Sequence, residues 1–205
     1  MTIKKGEDWG VVGTLPADAP IARTDAELAA LFVPDGVDAL DGPDLVGLAT
    51  GGDLARTLGG RATPAQLREG ERTLLPIDLA IVTVDGAPIV MAANLVIRSS
   101  WWRGALSGAF NASHLGAWNV APSGHPNDGR VDVLESDLSL GDRWKARSRL
   151  PAGTHVPHPG ISIRRLKQVQ WDVESARNVT IDGVSYGSPR TVALTVVSDA
   201  VTVAI

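Results

Sequence analysis

The sequence predicts an α+β fold in which a short α/β portion precedes a β-sandwich. Residues 24–60 combine two helical patterns with one apolar strand, whereas residues 73–205 consist mostly of apolar, β-rich runs. Two Asp-Gly pairs, Asp85-Gly86 and Asp182-Gly183, separate such runs and are typical of two-residue hairpins. The order of these patterns therefore places the helices in the N-terminal part of the chain and the sheets in the C-terminal part.

The front portion is predicted to contain a helix, then a strand, a glycine turn and a second helix. Thr24 can cap a helix over 24–32, with Glu27 three residues later. Leu45 to Ala49 is apolar and ends at Thr50-Gly51-Gly52, after which Asp53 is predicted to be an N-cap. Free N–H groups at such a turn favour an anion such as phosphate, and the alternative is a plain connection.

The back portion is predicted to be a series of strands. Two runs, 74–84 and 87–97, are each expected to form one strand of a hairpin, and 144–150 suggests a strand or a helix with a solvated basic face. We divide the chain into a reduced α/β domain with an N-terminal arm at 1–65 and a β-sandwich domain at 66–205.

Charge and composition exclude several classes of protein. The 205 residues carry a formal net charge of −4 and no cysteine, so general nucleic-acid binding, disulfides and thiolate metal sites receive no support. No apolar run approaches the 18 or so residues of a membrane-spanning helix, and no signal peptide is evident. We therefore expect a cytoplasmic protein without an integral membrane segment.

Three segments together resemble the diacylglycerol and sphingosine kinase family, including its bacterial lipid kinase-like members. Residues 50–56 (TGGDLAR) are similar to the family's G-T-x-N-D-[FL]-A-R segment. Residues 120–133 (VAPSGHPNDGRVDV) resemble its A-P-x-A-x-x-x-D-G-x-L-x-V run, and residues 179–187 (VTIDGVSYG) resemble its terminal D-G-E-P-x-G segment. The resemblance implies a Rossmann-like nucleotide domain followed by a β-sandwich of the lipid kinase and NAD kinase type, here with the front domain truncated.

The departures from the family pattern concern the parts that phosphoryl transfer requires. The family's general base is the glutamate of D-G-E, and Val184 stands at that position. Gly52 replaces the asparagine of G-T-x-N-D, and no G-G-D-G-T phosphate cradle precedes Asp53. The resemblance therefore predicts no catalytic residue in this chain.

Other family residues are retained, and they imply ATP and Mg²⁺ as candidate cofactors. Thr50 matches a threonine that faces the nucleotide, so Thr50, Gly51, Gly52 and Asp53 are the predicted cofactor-binding residues. Asp128 matches an aspartate that binds a structural Mg²⁺ together with backbone carbonyls, which here belong to His125 and Arg130. The alternative is that Asn127-Asp128-Gly129 is only a turn.

Three further features have competing interpretations. His155 and His158 have a spacing found in some metal sites, but Pro157 and Pro159 favour a solvent-exposed loop. Basic residues at 145–149 and 164–167 suggest either a headgroup-binding face or a solvated strand face. Trp101 and Trp102 are expected to contact the core or a partner rather than a membrane.

Three functions follow from these patterns. The first is a degenerate, non-catalytic lipid kinase-like protein, or pseudoenzyme, that binds a nucleotide, a lipid or a protein partner. The second is an active ATP-dependent lipid kinase whose base and phosphate cradle come from unexpected residues or from a partner subunit, with Asp182 and Asp128 as the candidate carboxylates in this chain. The third is a structural module that forms a homodimer or another homo-oligomer, because a truncated front domain leaves apolar surface to cover.

Overall fold

The computed structural model describes residues 9–100, 103–173 and 177–205. The prediction for Trp101 and Trp102 lies outside these residues. No helix in the described ranges is long and apolar enough to span a membrane. The sheet-rich α+β class is confirmed, while the Rossmann-like character of the front portion and the division at residue 65 stay predictions.

Seventeen strands and four α-helices make up the described chain. The helices are α1 Asp25–Ala29, α2 Asp53–Leu58, α3 Pro64–Leu67 and α4 Leu140–Arg149, the last followed by a 3-10 turn at Leu150–Ala152. The strands are β1 Val11–Gly13, β2 Ile21–Ala22, β3 Val33–Pro34, β4 Leu40–Asp41, β5 Leu45–Leu48, β6 Arg72–Val84, β7 Ala87–Met91, β8 Asn94–Arg98, β9 Leu106–Phe110, β10 His114–Leu115, β11 Trp118–Asn119, β12 Val131–Ser136, β13 Ile161–Leu166, β14 Gln168–Asp172, β15 Asn178–Ile181, β16 Val184–Ser185 and β17 Thr191–Ala204.

Two long antiparallel strands, β6 and β17, connect the front of the molecule with the back. At one end of the pair they form the sheet β1-β6-β17-β5-β2, in which β5 runs parallel to β17 and β2. At the other end β7 joins β6 and β14 joins β17. The register shifts between Val197 and Val201, so the two halves meet at an irregularity in β17.

A second sheet, of order β13-β12-β9-β8-β15-β16, packs on the back half of the first. The sandwich core between them contains Val82, Ile97, Val133, Ile181 and Leu194, all buried. The opposite face of the second sheet carries a separate apolar cluster around Phe110 and Leu134, against which Leu150 packs. This outer cluster lies under α4 and lines an apolar pocket.

The run 87–97, predicted to be one strand, is two strands in different sheets. β7 pairs with β6 in the first sheet, and β8 pairs with β9 and β15 in the second. The chain changes sheets at Ala92 and Ala93, both fully buried. The prediction was wrong because the apolar pattern continues without a break through this corner. The position of the corner is set by hydrogen bonds from its backbone to the carboxylate of Asp182, which is distant in sequence.

Candidate functional site

The glycine turn before α2 is held by a carboxylate from α1. Asp25 accepts hydrogen bonds from the backbone N–H groups of Asp53, at 2.7 Å, and Leu54, at 3.1 Å. The N-cap residue is Gly52, so the prediction of Asp53 as N-cap was wrong. A Cβ atom at Gly52 would lie 2.3 Å from Asp25 Oδ1, and the glycine is therefore required by this contact within the chain. The donors predicted to face a phosphate are already bound to a carboxylate.

The side chain of Asp53 joins α2 to the β-rich portion. Its Oδ2 accepts from Asn94 Nδ2 at 2.9 Å, and its Oδ1 accepts from the backbone N–H of Gly116 at 2.7 Å. Thr50 is exposed beside this turn. At Gly51 a Cβ atom would lie 2.4 Å from the carbonyl oxygen of Arg23. Among the four predicted cofactor-binding residues, the side chain of Thr50 is exposed and that of Asp53 is half-buried, and nucleotide binding here stays a prediction.

Asp182 fixes the corner where the chain changes sheets. Its carboxylate accepts from the backbone N–H groups of Ala92, Ala93 and Asn94 at 2.7, 2.8 and 2.9 Å. Burial raises the pKa of Asp182 to about 7, against the lowering effect of these donors and with a further increase from Asp25. Both oxygens accept backbone hydrogen bonds, so Asp182, a candidate base of an active kinase, stabilises the corner between the two sheets.

Val184 lies beside an apolar cleft of about 300 Å³ between α1 and the hairpin β15–β16. Phe32, Ile89, Val184 and Tyr186 line this cleft together with Asp182. Among its described lining residues Asp182 is the sole carboxylate. The side chain at the family's base position therefore has no proton-accepting atom, and the nearest carboxylate in the cleft is already bound.

Asp128 lies in a turn whose charge is balanced by an arginine. Its Oδ1 accepts from the backbone N–H of Arg130 at 3.0 Å, as in an Asx turn, and its Oδ2 lies 3.6 Å from Arg165 Nη1. Within the described ranges, no group of three or more His, Asp or Glu side chains is arranged to hold a metal ion. Asp128 thus has an arginine partner, and Mg²⁺ binding by Asp128 with the carbonyls of His125 and Arg130 stays a prediction.

A second buried aspartate, Asp78, supports the same turn from β6. Its oxygens accept from the backbone N–H groups of Gly129, at 2.7 Å, and Asp199, at 2.9 Å. Burial raises the pKa of Asp78 to about 6, and the charge of Asp128 raises it further. Asp78 thereby ties the 126–129 turn to the irregularity in β17.

An apolar pocket of about 100 Å³ lies between α4 and the outer face of the second sheet. Most of its lining is aliphatic or aromatic, including Val96, Leu106, Phe110, Trp118, Leu134 and Leu150. The guanidinium carbon of Arg147 lies 4.9 Å from the centre of the Trp118 ring, a cation–π contact at the exposed side of the helix. The pocket has the composition of a small-molecule site, which is mostly apolar with few polar groups.

His155 is one of those polar groups, and the sequence interpretation of it was wrong. The residue is 4% exposed and lines the pocket, whereas an exposed loop was predicted. Its Nε2 lies 3.2 Å from the carbonyl oxygen of Val120, and burial lowers the pKa of its imidazole. His158 remains half-exposed, and its Nδ1 accepts from the backbone N–H of Gly160.

Comparison with known proteins identifies the fold. No protein-family profile matches the chain, and no curated protein matches it. A solved structure described as a diacylglycerol kinase from Bacillus anthracis strain Sterne matches with 15% identity and a TM-score of 0.53, over 82% of this chain and 69% of that chain. Two others, described provisionally as diacylglycerol kinases from the same strain, match with 14% identity and a TM-score of 0.57, over 82% of this chain and 72% and 71% of theirs. At this identity the likeness concerns the fold, and the chain therefore has the fold of the bacterial diacylglycerol kinase-like proteins.

Proposed function

We propose that this protein is a non-catalytic member of the lipid kinase-like fold that binds a small apolar ligand, such as a segment of a lipid chain, in the pocket under α4. The observation that carries the proposal is the pocket itself, which is lined mostly by apolar side chains of the second sheet, of α4 and of neighbouring segments. Burial of apolar surface is the main driving force for such binding.

The absence of phosphoryl transfer rests on the chemistry of the cleft. A general base needs a free lone pair within reach of the hydroxyl proton that it removes. Val184 offers none, and the carboxylate of Asp182, which has about four lone pairs, already accepts three backbone hydrogen bonds. The N–H groups at the start of α2, which an anion would use, are bound to Asp25.

Ligand binding is tested with a brominated fatty acid, because bromine quenches a nearby indole and Trp118 lines the pocket. We expect saturable quenching that weakens in Trp118→Phe and is lost in Ala146→Trp, which fills the pocket from α4. Ser148→Trp is the matched control, since Ser148 is exposed on the same helix and should leave quenching unchanged. Equal quenching in all variants would place the ligand elsewhere.

Catalysis is tested by incubating the protein with ATP, Mg²⁺ and diacylglycerol or sphingosine. We expect no phosphorylated lipid above the level of a protein-free control. Turnover that is lost in Asp182→Asn, with the fold retained, would instead support the active ATP-dependent lipid kinase.

An assembly role is a second candidate because β1 is an apolar edge strand. Val11 and Val12 are 66% and 69% exposed on this edge of the first sheet. Exposed apolar edges can pair with another chain. Light scattering should then show a dimer that dissociates in Val12→Lys, and a concentration-independent monomer would refute this role.

A further inference from the structure

We propose that the outer face of α4 is a docking surface for a membrane that contains anionic phospholipid. The surface consists of an apolar stripe, formed by Leu140 and Trp144, and of the basic residues beside it, Lys145, Arg147 and Arg149. It lies on the exposed side of the helix, so its role does not depend on a ligand in the pocket beneath.

The packing of α4 on the second sheet determines which side of the helix is exposed. Ala146 and Leu150 line the pocket. Arg143 is buried, and its guanidinium donates to the backbone carbonyl oxygens of Leu138 and Gly104. These contacts hold one side of the helix against the sheet, and the side chains of the opposite side therefore point to solvent.

Two large apolar side chains of this outer side are mostly exposed. Leu140 is 60% exposed and Trp144 is 69% exposed. They are four residues apart and therefore lie one turn apart on the same stripe of the helix. Among the tryptophans that the structure describes, Trp144 is the most exposed. An indole has an apolar body and a polar N–H, and it is favoured where hydrocarbon meets water.

The charge of α4 is opposite to that of the whole chain. The helix contains four basic residues and one acidic residue, Asp142, whereas the chain has a formal net charge of −4. Lys145 Nζ lies 3.4 Å from Asp142 Oδ1, and Arg147 and Arg149 are exposed in the last turn. Positive charge thus lies beside the apolar stripe in the second half of α4. A helix with this arrangement suits an anionic lipid surface.

The other basic segment of the sequence, 164–167, is balanced within the chain. Arg164 Nη2 lies 3.2 Å from Glu135 Oε2 on the neighbouring strand. Arg165 Nε lies 3.3 Å from Asp132 Oδ1, and its Nη1 lies 3.6 Å from Asp128 Oδ2. Acidic neighbours therefore offset both arginines. Of the two segments for which the sequence left a headgroup-binding face open, α4 is the one that combines basic with exposed apolar side chains.

The dimensions of the surface favour a membrane over a folded protein partner. The ten residues of α4 extend about 15 Å. A stable protein interface uses roughly 800 Å² and roughly 20–30 residues on each side, which is more than one short helix offers. A peripheral membrane contact needs less. Each Lys or Arg near an anionic surface strengthens binding about fivefold, and apolar side chains that enter the interface add to it.

Sedimentation of the full chain with lipid vesicles tests the docking surface. We expect binding to vesicles of phosphatidylcholine with phosphatidylglycerol, little binding to phosphatidylcholine alone, and weaker binding at high salt. Arg149→Gln should lower the partition coefficient for anionic vesicles about fivefold, and Trp144→Ser about tenfold. Arg61→Gln and Val37→Ser are the matched controls for charge and for apolar surface, because both residues are exposed in the N-terminal part of the chain. Both controls should bind as the unmodified protein does.

Tryptophan fluorescence locates the contact. On addition of anionic vesicles the emission should shift to shorter wavelength. The shift should be smaller in Trp144→Phe, which keeps an aromatic side chain and most of the binding. Sedimentation that is equal for all variants, or equal for the two kinds of vesicle, would overturn the docking surface. A lipid-free dimer that dissociates in Trp144→Ser would also overturn it, because this face would then belong to a second copy of the chain.

The outcomes for the docking surface and for the pocket are separate. The brominated fatty acid reports on Trp118 in the pocket, whereas the vesicles report on Trp144. Saturable quenching without vesicle binding would overturn the docking surface and leave the proposed function standing. Vesicle binding that is weakened by Trp144→Ser, without quenching by the fatty acid, would support the docking surface and count against the pocket.

Discussion

Replacing Asp182 with alanine should destabilise the protein through three backbone N–H groups that lose their acceptor. These groups belong to Ala92, Ala93 and Asn94, each at most 3% exposed. An unpaired buried donor costs about 1–3 kcal/mol. Even at the lower end of that range, three such donors lower the free energy of unfolding by about 3 kcal/mol, which is a large part of the typical ~5–15 kcal/mol.

Asp85 provides a matched control in the other Asp-Gly hairpin. Its φ angle is 46° and that of Asp182 is 49°, so alanine meets the same backbone strain at both positions. Asp85 Oδ1 also accepts from two N–H groups, but they belong to Arg190 and Thr191, which are exposed and can bind water instead. Urea unfolding followed by tryptophan fluorescence should show a loss about 3 kcal/mol greater for Asp182→Ala than for Asp85→Ala, and equal losses would refute the structural role of Asp182.

Three further changes test the carboxylates with raised pKa, the glycine turn and the helix α4. The pKa of Asp78 is raised to about 6 and that of Asp182 to about 7, both above the ordinary 3.8. The folded state therefore binds these protons more tightly than the unfolded state does. As a result, the contribution of the two groups to stability falls as pH rises from about 4 to 7. Melting temperatures across that range should decline less steeply in Asp78→Asn than in the unmodified protein. Gly52→Ala should lower the melting temperature, because its Cβ would displace the Asp25 carboxylate, and no change would contradict the capping contact. Gly141→Ala, in open space on α4, should instead stabilise by about 0.5–1 kcal/mol in chemical denaturation, and a loss of stability would show that the glycine is needed there.

Local signals in the sequence predict much of this fold. Both Asp-Gly pairs form the expected hairpins, with positive φ at Asp85 and Asp182. Thr24 caps α1, and the strand β5 and helix α2 flank the glycine turn as predicted. The helix α4 also had a local signal, since Ser139 caps it and Asp142 follows three residues later, but the alternation of basic residues at 144–150 left strand and helix open.

The errors occur where a residue distant in sequence decides the local structure. Asp53 fits the N-cap rule, but Asp25, 28 residues earlier, binds the N–H groups at the start of α2. The apolar run 87–97 has no internal stop, and its break depends on Asp182, 89 residues after Ala93. His155 lies among prolines, so composition favours a solvent-exposed loop, and packing against the second sheet buries it. A rule that considers one residue and its sequence neighbours cannot predict these contacts.

Three carboxylates, those of Asp25, Asp53 and Asp182, share one property that bears on function. Asp25 binds the start of α2, Asp53 binds Asn94 and Gly116, and Asp182 binds the corner between the sheets. Each thus joins segments of backbone that are far apart in sequence, and together they connect the front helices to the β-rich portion. A catalytic carboxylate gains and loses a proton during turnover, and its hydrogen bonds change as it does so. If these three carboxylates did the same, the N–H groups bound to them would lose their acceptor. The same interactions hold the two portions of the molecule together. They support the proposal that the cleft transfers no proton and that the ligand binds in the pocket under α4, which none of these carboxylates lines.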